Sequence, residues 1–380
     1  MNVKRLSAAD CSIEEFVELV EAGAAATSIS SYPFADRIDH GAVVYDAEAL
    51  RRTVDDERTM RALLAELADV FLAGPGIVVF EGAIEPAVVE TTNDAFFAII
   101  DEQRASGTAA GDHFAKAGAN DRIWNALQKL AAHSPEVFCD YYANDVIAWA
   151  STAWLGPGYQ VTSQVNVVNP GGQAQEPHRD YHLGFMTVDE AERFPLHVHQ
   201  LSPMMTLQGA IAHCDMPVES GPTMYLPHSH KYELGYLAWW LPEFKEYFAE
   251  HHVQVPLRTG DAVFFNPAMF HGAGTNRTAD VRRIANLLQV GTAMGRTLEY
   301  VDRRAMVEAL YGVWLDRVVA GADRAAIDRS VAAAAEGYYA PLDLDIDQPT
   351  DGLHPPAPID HVRRALDERQ SLDVLLKHLA

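Results

Sequence analysis

Only three of the 380 residues are cysteine: Cys11, Cys139 and Cys214. They lie far apart and are odd in number. Neither a disulfide framework nor a CxxC zinc site can be built from them, and a reducing cytoplasm is the compartment they suit. Long apolar runs are also missing; none approaches the roughly 18 residues of a membrane-spanning helix. Met1-Asn2-Val3-Lys4-Arg5 leads into mixed polar sequence and not into the apolar core of a secretion signal. Positive charge is scarce: 29 Lys and Arg stand against 53 Asp and Glu, a formal net charge of −24. Such a surface repels nucleic acid and anionic membranes. Internal repeats are absent, and nothing fixes an oligomeric state. What is present is a 48% hydrophobic content, enough for a sizeable core. The expectation is a cytoplasmic globular protein whose partners are small molecules.

Helical signals come first. Ser12-Ile13-Glu14-Glu15 resembles a capping box, with Phe16, Leu19 and Val20 following at helical spacing. A longer amphipathic stretch over 46–72 stops at Gly74-Pro75-Gly76. Ile77-Val78-Val79-Phe80 reads as a short buried strand, 86–102 as a helix, and 120–149 as two helices broken near His133-Ser134-Pro135. From Tyr159 the period changes. Val161, Ser163, Val165 and Val167 face one way, and Gln160, Thr162, Gln164 and Asn166 the other. This strand runs into Pro170-Gly171-Gly172, so its polar side suits the wall of a wet cavity. Further strands are expected at 204–214, 223–226, 253–257, 262–266 and 282–290, with turns at Ser220-Gly221-Pro222 and Thr259-Gly260-Asp261. Many short strands with Gly/Pro turns argue for a sandwich or barrel. Two insertions, 183–203 and 232–252, interrupt them. The segment 297–335 and the terminal 358–380 read as helical, with an extended loop over 338–357. Composition never shifts sharply, so residues 1–380 are expected to form a single domain: a helical region 1–75, a mainly β core 76–295 and a helical extension 296–380.

His178 and Asp180, two apart, share a face of an extended segment. His271, shortly after the 262–266 strand, is a third donor that a returning strand can supply. Two histidines and one carboxylate form the ligand set of non-haem Fe(II) oxygenases and leave coordination positions open. A rival pair, His178 and His182, has the i, i+4 spacing of a helical zinc site. Pro177 and Gly184 oppose a helix there, and no Glu lies between the two histidines. His228 and His230 read as loop residues. Arg282 and Arg283 point to opposite faces of their strand. One can reach a buried anion while the other reaches solvent, and a charge inside an apolar strand requires a partner. An arginine here can clamp the far carboxylate of a dicarboxylic co-substrate.

With these pieces in order, the chain resembles the phytanoyl-CoA dioxygenase family of Fe(II)/2-oxoglutarate-dependent oxygenases. Gly76–Ile84 is similar to the family's opening strand, and Asn169-Pro170-Gly171-Gly172 with His178-Arg179-Asp180 to its proximal ligand loop. Asp215 to Pro222, continuing to Leu226-Pro227-His228-Ser229-His230, is similar to its D-x4-NG…PGSH segment. Gly260-Asp261, Phe264-Phe265, His271 to Asn276 and Arg282-Arg283 are similar to its distal block. The resemblance implies a double-stranded β-helix (jelly-roll, cupin-like) core. It implies Fe(II) held by His178, Asp180 and His271, 2-oxoglutarate as co-substrate with Arg282 on its far carboxylate, and dioxygen. It further implies hydroxylation of an unactivated C–H bond of a small organic substrate, with release of succinate and CO2. Gln164 and Asn166 are expected to contact 2-oxoglutarate or substrate. The insertions 183–203 and 232–252 are expected lids, with Tyr181, His182, Trp239 and Trp240 as substrate contacts. Two departures stand out. Ala273 replaces a Ser that often supports the co-substrate, a role left to Thr275, and His228 replaces the Gly of PGSH. Asp180 closes the halide position of the related halogenases, which carry Gly or Ala there, so hydroxylation or desaturation is expected over halogenation. A cupin-like metal-binding or sensor protein without turnover is the alternative, and a zinc hydrolase a third reading.

Overall fold

Ile77-Val78-Val79-Phe80 offers no polar position, as a strand covered on both faces must. The structure, a computed structural model, describes residues 6–107, 120–342, 345, 348–349 and 352–379. In chain order, helix α1 (Ile13–Ala26) precedes strands β1 (Arg37–Asp39) and β2 (Ala42–Asp46). Helices α2 (Ala47–Thr53) and α3 (Glu57–Leu72) lead to β3 (Ile77–Glu81) and α4 (Pro86–Ser106). Next come β4 (Asn120–Ile123), α5 (Ala126–His133), α6 (Pro135–Tyr141), α7 (Asp145–Leu155) and β5 (Gln160–Val168). Short helices α8 (Val188–Ala191) and α9 (Leu196–Leu201) fill the first insertion before β6 (Thr206–Ala212) and β7 (Met224–Leu226). The second insertion holds α10 (Gly235–Ala238) and α11 (Pro242–His251). It is followed by β8 (Val253–Gln254), β9 (Ala262–Phe265), β10 (Phe270–Gly272) and β11 (Arg283–Gly291). Helices α12 (Arg303–Val319), α13 (Arg324–Ala334), α14 (Pro358–Asp367) and α15 (Leu372–Leu375) end the chain.

The strands form two sheets, in the order β1-β2-β3-β9-β6-β11-β5-β4 and β10-β7-β8. β2 and β3 run parallel, while β9 is antiparallel to both β3 and β6. In the small sheet β7 pairs antiparallel with β10 and β8. Alternate residues of the large sheet (Val44, Ile77, Val79, Ala212, Val263 and Phe265) bury against Tyr225, Val255 and Leu257. That apolar filling between two sheets is the core of a double-stranded β-helix. On the other face Tyr45 stacks on Phe80, and Phe80 meets Phe264 edge-on. Helix α3 reaches this face through buried Glu66, whose carboxylate accepts from the Tyr45 hydroxyl at 3.0 Å and from the Phe34 amide.

The chain divides into two compact units. One comprises Met1–Ala83, Ala110–Arg122 and Val165–Leu288; the other comprises Ile84–Ala109, Ile123–Gln164 and Gln289–Ala380. In the second, buried Trp314 on α12 donates to Ser330 on α13 at 2.8 Å. The expected lid insertions both lie in the first. Among the described residues, no helix is long and apolar enough to cross a membrane.

Four elements differ from expectation. Residues 1–75 contain the β1–β2 hairpin, turned by His40 and Gly41 with φ 48° and 75°. Positive φ at both centres defines a two-residue turn of the type that suits strand twist, and a His-Gly pair announces it only weakly. The 46–72 helix is two helices, because Asp46 caps α2 and Asp56 caps α3 in a reciprocal box with Thr59. The 120–149 segment opens with β4 and then holds α5, α6 and the start of α7, the last capped by Asn144. Strand β10, three residues long, escaped a period-two reading.

One loop residue links α1 to the core. His228 is buried at φ 70°, with Nδ1 2.9 Å from Lys231 Nζ and Nε2 3.0 Å from Thr27 Oγ1. Burial, reinforced by the Lys231 charge, pulls its pKa down to about 4. An unfolded histidine titrates near 6.5, so the unfolded chain takes up the proton first. Stability is therefore complete above about pH 6.5 and declines from there towards pH 4, by up to about 1.4 kcal/mol per pH unit. His228→Gln should make the acid limb of a melting-temperature-versus-pH curve shallower; an unchanged slope would show that His228 does not carry it.

Candidate metal centre

The ligand geometry begins with backbone. His178 and His271 form an antiparallel bridge, the amide of each donating to the carbonyl of the other at 2.9 and 3.1 Å. The Asp180 amide donates to Pro267 at 3.1 Å. The segment around His178 thus runs beside β10, whose His271 is in register with Tyr225 of β7. The extended backbone turns His178 and Asp180 to one side and Arg179 to the other.

The side chains of His178, Asp180 and His271 each offer a donor atom, all within 4.8 Å of one another. His178 Nε2 lies 3.6 Å from Asp180 Oδ1, and His271 Nε2 lies 3.2 Å from Oδ2. Each Nδ1 is 2.9 Å from a backbone carbonyl, of Glu176 for His178 and of Met269 for His271. In the neutral ring the nitrogen facing a carbonyl carries the hydrogen, so each Nε2 is the atom left to ligate a metal. Burial would raise the Asp180 pKa. The His178 charge, a hydrogen bond and charge from His271, and a hydrogen bond from Gln208 outweigh it and hold the group well below the usual carboxylate range. Burial lowers the His178 pKa. A carboxylate between two imidazoles is a donor set that suits a divalent cation. A metal held at roughly 2.1 Å by each donor needs them about 3 Å apart on one face of an octahedron; the two imidazole–carboxylate separations, 3.6 and 3.2 Å, lie near that.

Gln208 on β6 is a residue that sequence reasoning missed. Its Nε2 donates to Asp180 Oδ2 at 2.6 Å, leaving Oδ1 as the less encumbered donor. The signal was a polar residue in the otherwise apolar run Leu207 to Ala212. Arg179, the middle residue of the same motif, is 2% exposed.

Other expected residues are distributed differently. Arg282 is not turned inward: its side chain is 49% exposed, with Nη2 3.7 Å from Asp121 and Nε 3.4 Å from Asn169. Strand alternation gives the buried position to Arg283 instead. Arg283 Nη1 donates to the carbonyls of Ser220 and Gly274 at 3.1 and 3.3 Å, and no carboxylate among the described residues pairs with it. Burial lowers its pKa to about 10. Thr275 Oγ1 accepts from the Ala174 amide at 3.0 Å, and the Ala273 amide donates to Gln175 Oε1 at 3.0 Å, so both brace the ligand loop. Asn166 Oδ1 is buried with no hydrogen-bond partner. Gln164 belongs to the second unit, where its Nε2 is 3.5 Å from Gln289 Oε1. Tyr181 and His182 follow Asp180 with φ of 62° and 48°, an uncommon conformation for such residues. Tyr181 is buried edge-on to exposed Phe185. Trp239 lies in a cluster with Phe16, Val20 and Phe248, so packing accounts for it; the Trp240 ring lies tilted against it, centroids 4.0 Å apart, and Trp240 is 38% exposed.

A jelly roll with two imidazoles and a carboxylate on one face defines a class of metal-site β-helix proteins. Within it, the phytanoyl-CoA dioxygenase (PhyH) family matches residues 73–284. The chain belongs to that family. It is 31% identical over 116 residues to the dioxygenase cdmD of Talaromyces verruculosus, a match covering 30% of this chain and 34% of that protein. It is 30% identical over 121 residues to the dioxygenase trt7 of Aspergillus terreus, covering 32% and 37%. These matches thus span about a third of the length of each curated relative. Among solved structures, HygX from Streptomyces hygroscopicus, with nickel and 2-oxoglutarate bound, is 15% identical with a TM-score of 0.43, covering 62% of this chain and 90% of its own. The non-haem α-ketoglutarate-dependent epimerase SnoN is 21% identical with a TM-score of 0.42, covering 61% and 84%.

Gln208→Leu removes the donor that holds Asp180 Oδ2. The expected result is a metal affinity lowered roughly 10- to 100-fold, the usual effect of losing an outer hydrogen bond, measured by anaerobic titration with Fe(II) or Co(II). Unchanged affinity would show that Gln208 does not orient the carboxylate.

Proposed function

We propose that this chain is an Fe(II)- and 2-oxoglutarate-dependent dioxygenase that hydroxylates an unactivated C–H bond of a small organic substrate, releasing succinate and CO2. The observation that carries this reading is the triad of His178, Asp180 and His271. Two tautomer-fixed imidazoles and a carboxylate converge in a chain of the phytanoyl-CoA dioxygenase family. Iron held there supplies the redox chemistry, with 2-oxoglutarate and dioxygen as co-reactants.

The protein's own part is geometry, charge and exclusion of water. His178 and His271 hold the metal through Nε2, each oriented by its Nδ1 hydrogen bond. Asp180 supplies the negative charge, restrained by Gln208. For the far carboxylate of 2-oxoglutarate the reading moves from Arg282 to Arg283. Arg283 shares a strand face with Ala285, which packs on the core between the sheets, and its guanidinium has no acid partner among the described residues. Arg282 already has Asp121 nearby. Asn166, with a buried carbonyl oxygen lacking a partner, is the polar contact proposed for co-substrate or substrate. Tyr181 and His182, which follow Asp180 directly, are the proposed substrate contacts, and the insertions 183–203 and 232–252 are the proposed lids.

A second reading draws on one observation. The hydroxyl missing at Ala273 is not replaced by a free Thr275, whose Oγ1 holds the Ala174 amide. A metal-binding protein with weak 2-oxoglutarate affinity would show this.

One assay set separates the two. With Fe(II), oxygen and 2-oxoglutarate, succinate should appear, and a panel of small substrates should raise its rate. Metal binding without 2-oxoglutarate affinity would favour the sensor. Arg283→Met should raise the KM for 2-oxoglutarate by about 10-fold or more, the scale of a lost charge-assisted hydrogen bond, while Arg282→Met leaves it within about 2-fold, as for an exposed pair. The reverse order would return the clamp to Arg282.

A further inference from the structure

Arg179 sits between two of the proposed ligands and makes no use of the metal side. It is 2% exposed, among the largest fully buried side chains, and no carboxylate among the described residues pairs with it. A guanidinium in that position is costly unless its hydrogens find acceptors. Nη2 donates to the carbonyls of Ser229 at 2.7 Å and Tyr232 at 3.0 Å. The cation lies 5.1 Å from the centroid of the Tyr236 ring and 5.3 Å from that of Phe270, within cation–π range. Nε is buried without a partner, and burial lowers the guanidinium pKa to about 10.

The partners fall into two groups. Phe270 immediately precedes His271, and Ser229 Oγ accepts from the Phe270 amide at 2.8 Å. Arg179 itself lies between His178 and Asp180. All three proposed ligands are thus chain neighbours of one Arg179–Phe270 contact. Tyr232, Gly235 and Tyr236 belong to the start of the second insertion. Gly235 leaves room for the cation and nothing more, since a Cβ there would lie 1.9 Å from Arg179 Cζ. On the ligand side, a Cβ at Gly184 would lie 2.1 Å from the Arg179 carbonyl.

We propose that Arg179 is a positioning residue that couples the metal triad to the seating of the 229–240 segment, so that metal binding and order at the start of the second insertion rise and fall together. The coupling rests on the reading of His178, Asp180 and His271 as a metal site. Its physical basis is that one rigid, planar donor satisfies the Ser229 carbonyl before the insertion and the Tyr232 carbonyl at its start while fixing the backbone from which two ligands project. By linkage, whatever fixes the ligands also stabilises the segment the guanidinium holds.

The experiment uses the full chain and Co(II) as probe. Co(II) affinity is read by absorption titration, and amide hydrogen exchange over 229–240 is read with and without metal. In the wild type, metal should slow exchange in that segment. Arg179→Met should lower Co(II) affinity by about 10-fold or more and abolish the metal-dependent slowing. Arg179→Lys should fall between, because an ammonium keeps the charge and loses the planar fork. Gly235→Ala displaces the guanidinium without altering it, and it should reproduce the Arg179→Met pattern with a native circular dichroism spectrum. This second route keeps the test open if Arg179→Met folds poorly. A folded Arg179 or Gly235 variant with wild-type Co(II) affinity would overturn the coupling, as would wild-type exchange over 229–240 that ignores metal. No Co(II) uptake by the folded wild type would instead overturn the metal reading, and the coupling with it.

Discussion

Two backbone hydrogen bonds between His178 and His271 are the constraint on which the site depends. They join segments far apart in the chain and set the spacing of the imidazoles before any side-chain contact forms. Everything that holds β10 in place therefore also holds the donor set: pairing with β7, packing of Phe265 against His271, and the buried Ser229 hydroxyl under Phe270. The two sheets are the means of keeping that bridge fixed.

The grouping of His178, Asp180 and His271 was legible because its signals are local in type even where they are distant in sequence. A His-x-Asp pair in an extended segment faces one way by the period of a strand, and His271 follows a recognisable apolar strand. What could not be read is which strand lies beside which. Gln208 comes within 2.6 Å of Asp180 only because β6 adjoins β11 and β9 in the large sheet. Nothing within Thr206–Ala212 states that neighbour. The β1–β2 hairpin escaped for a different reason: its turn residues, His40 and Gly41, carry positive φ without the Asn-Gly or Asp-Gly pair that announces such a turn. Trp239 shows a third limit. Aromatic composition alone does not distinguish a substrate wall from a helix-packing core, and the contacts to Phe16 and Phe248 decide for packing.

The adjacent arginines carry the same lesson into electrostatics. Strand alternation dictates that Arg282 and Arg283 diverge, and the sequence alone leaves open which one turns inward. The resemblance named Arg282, eleven residues after His271. The fold exposes Arg282 beside Asp121 and buries Arg283 against the carbonyls of Ser220 and Gly274. Motif spacing and strand register thus point to different arginines.

Charge balance explains why a buried arginine without an acid partner is useful here. Under the proposed reading, a divalent metal and Asp180 together leave one positive charge. A dicarboxylate co-substrate turns the balance to one negative charge among buried groups, where an uncompensated charge is costly. One further cation restores neutrality, and it must not already be neutralised by the protein. Arg283, satisfied by carbonyl dipoles alone, meets that condition; Arg282, with Asp121 close by, does not. Arg179 is held by carbonyls in the same way, yet its hydrogen bonds point to the insertion and its face is covered by Tyr236 and Phe270. Of the two buried guanidiniums, one is therefore enclosed by protein on the side away from the ligands. The other, Arg283, is the one left to answer the charge that binding brings.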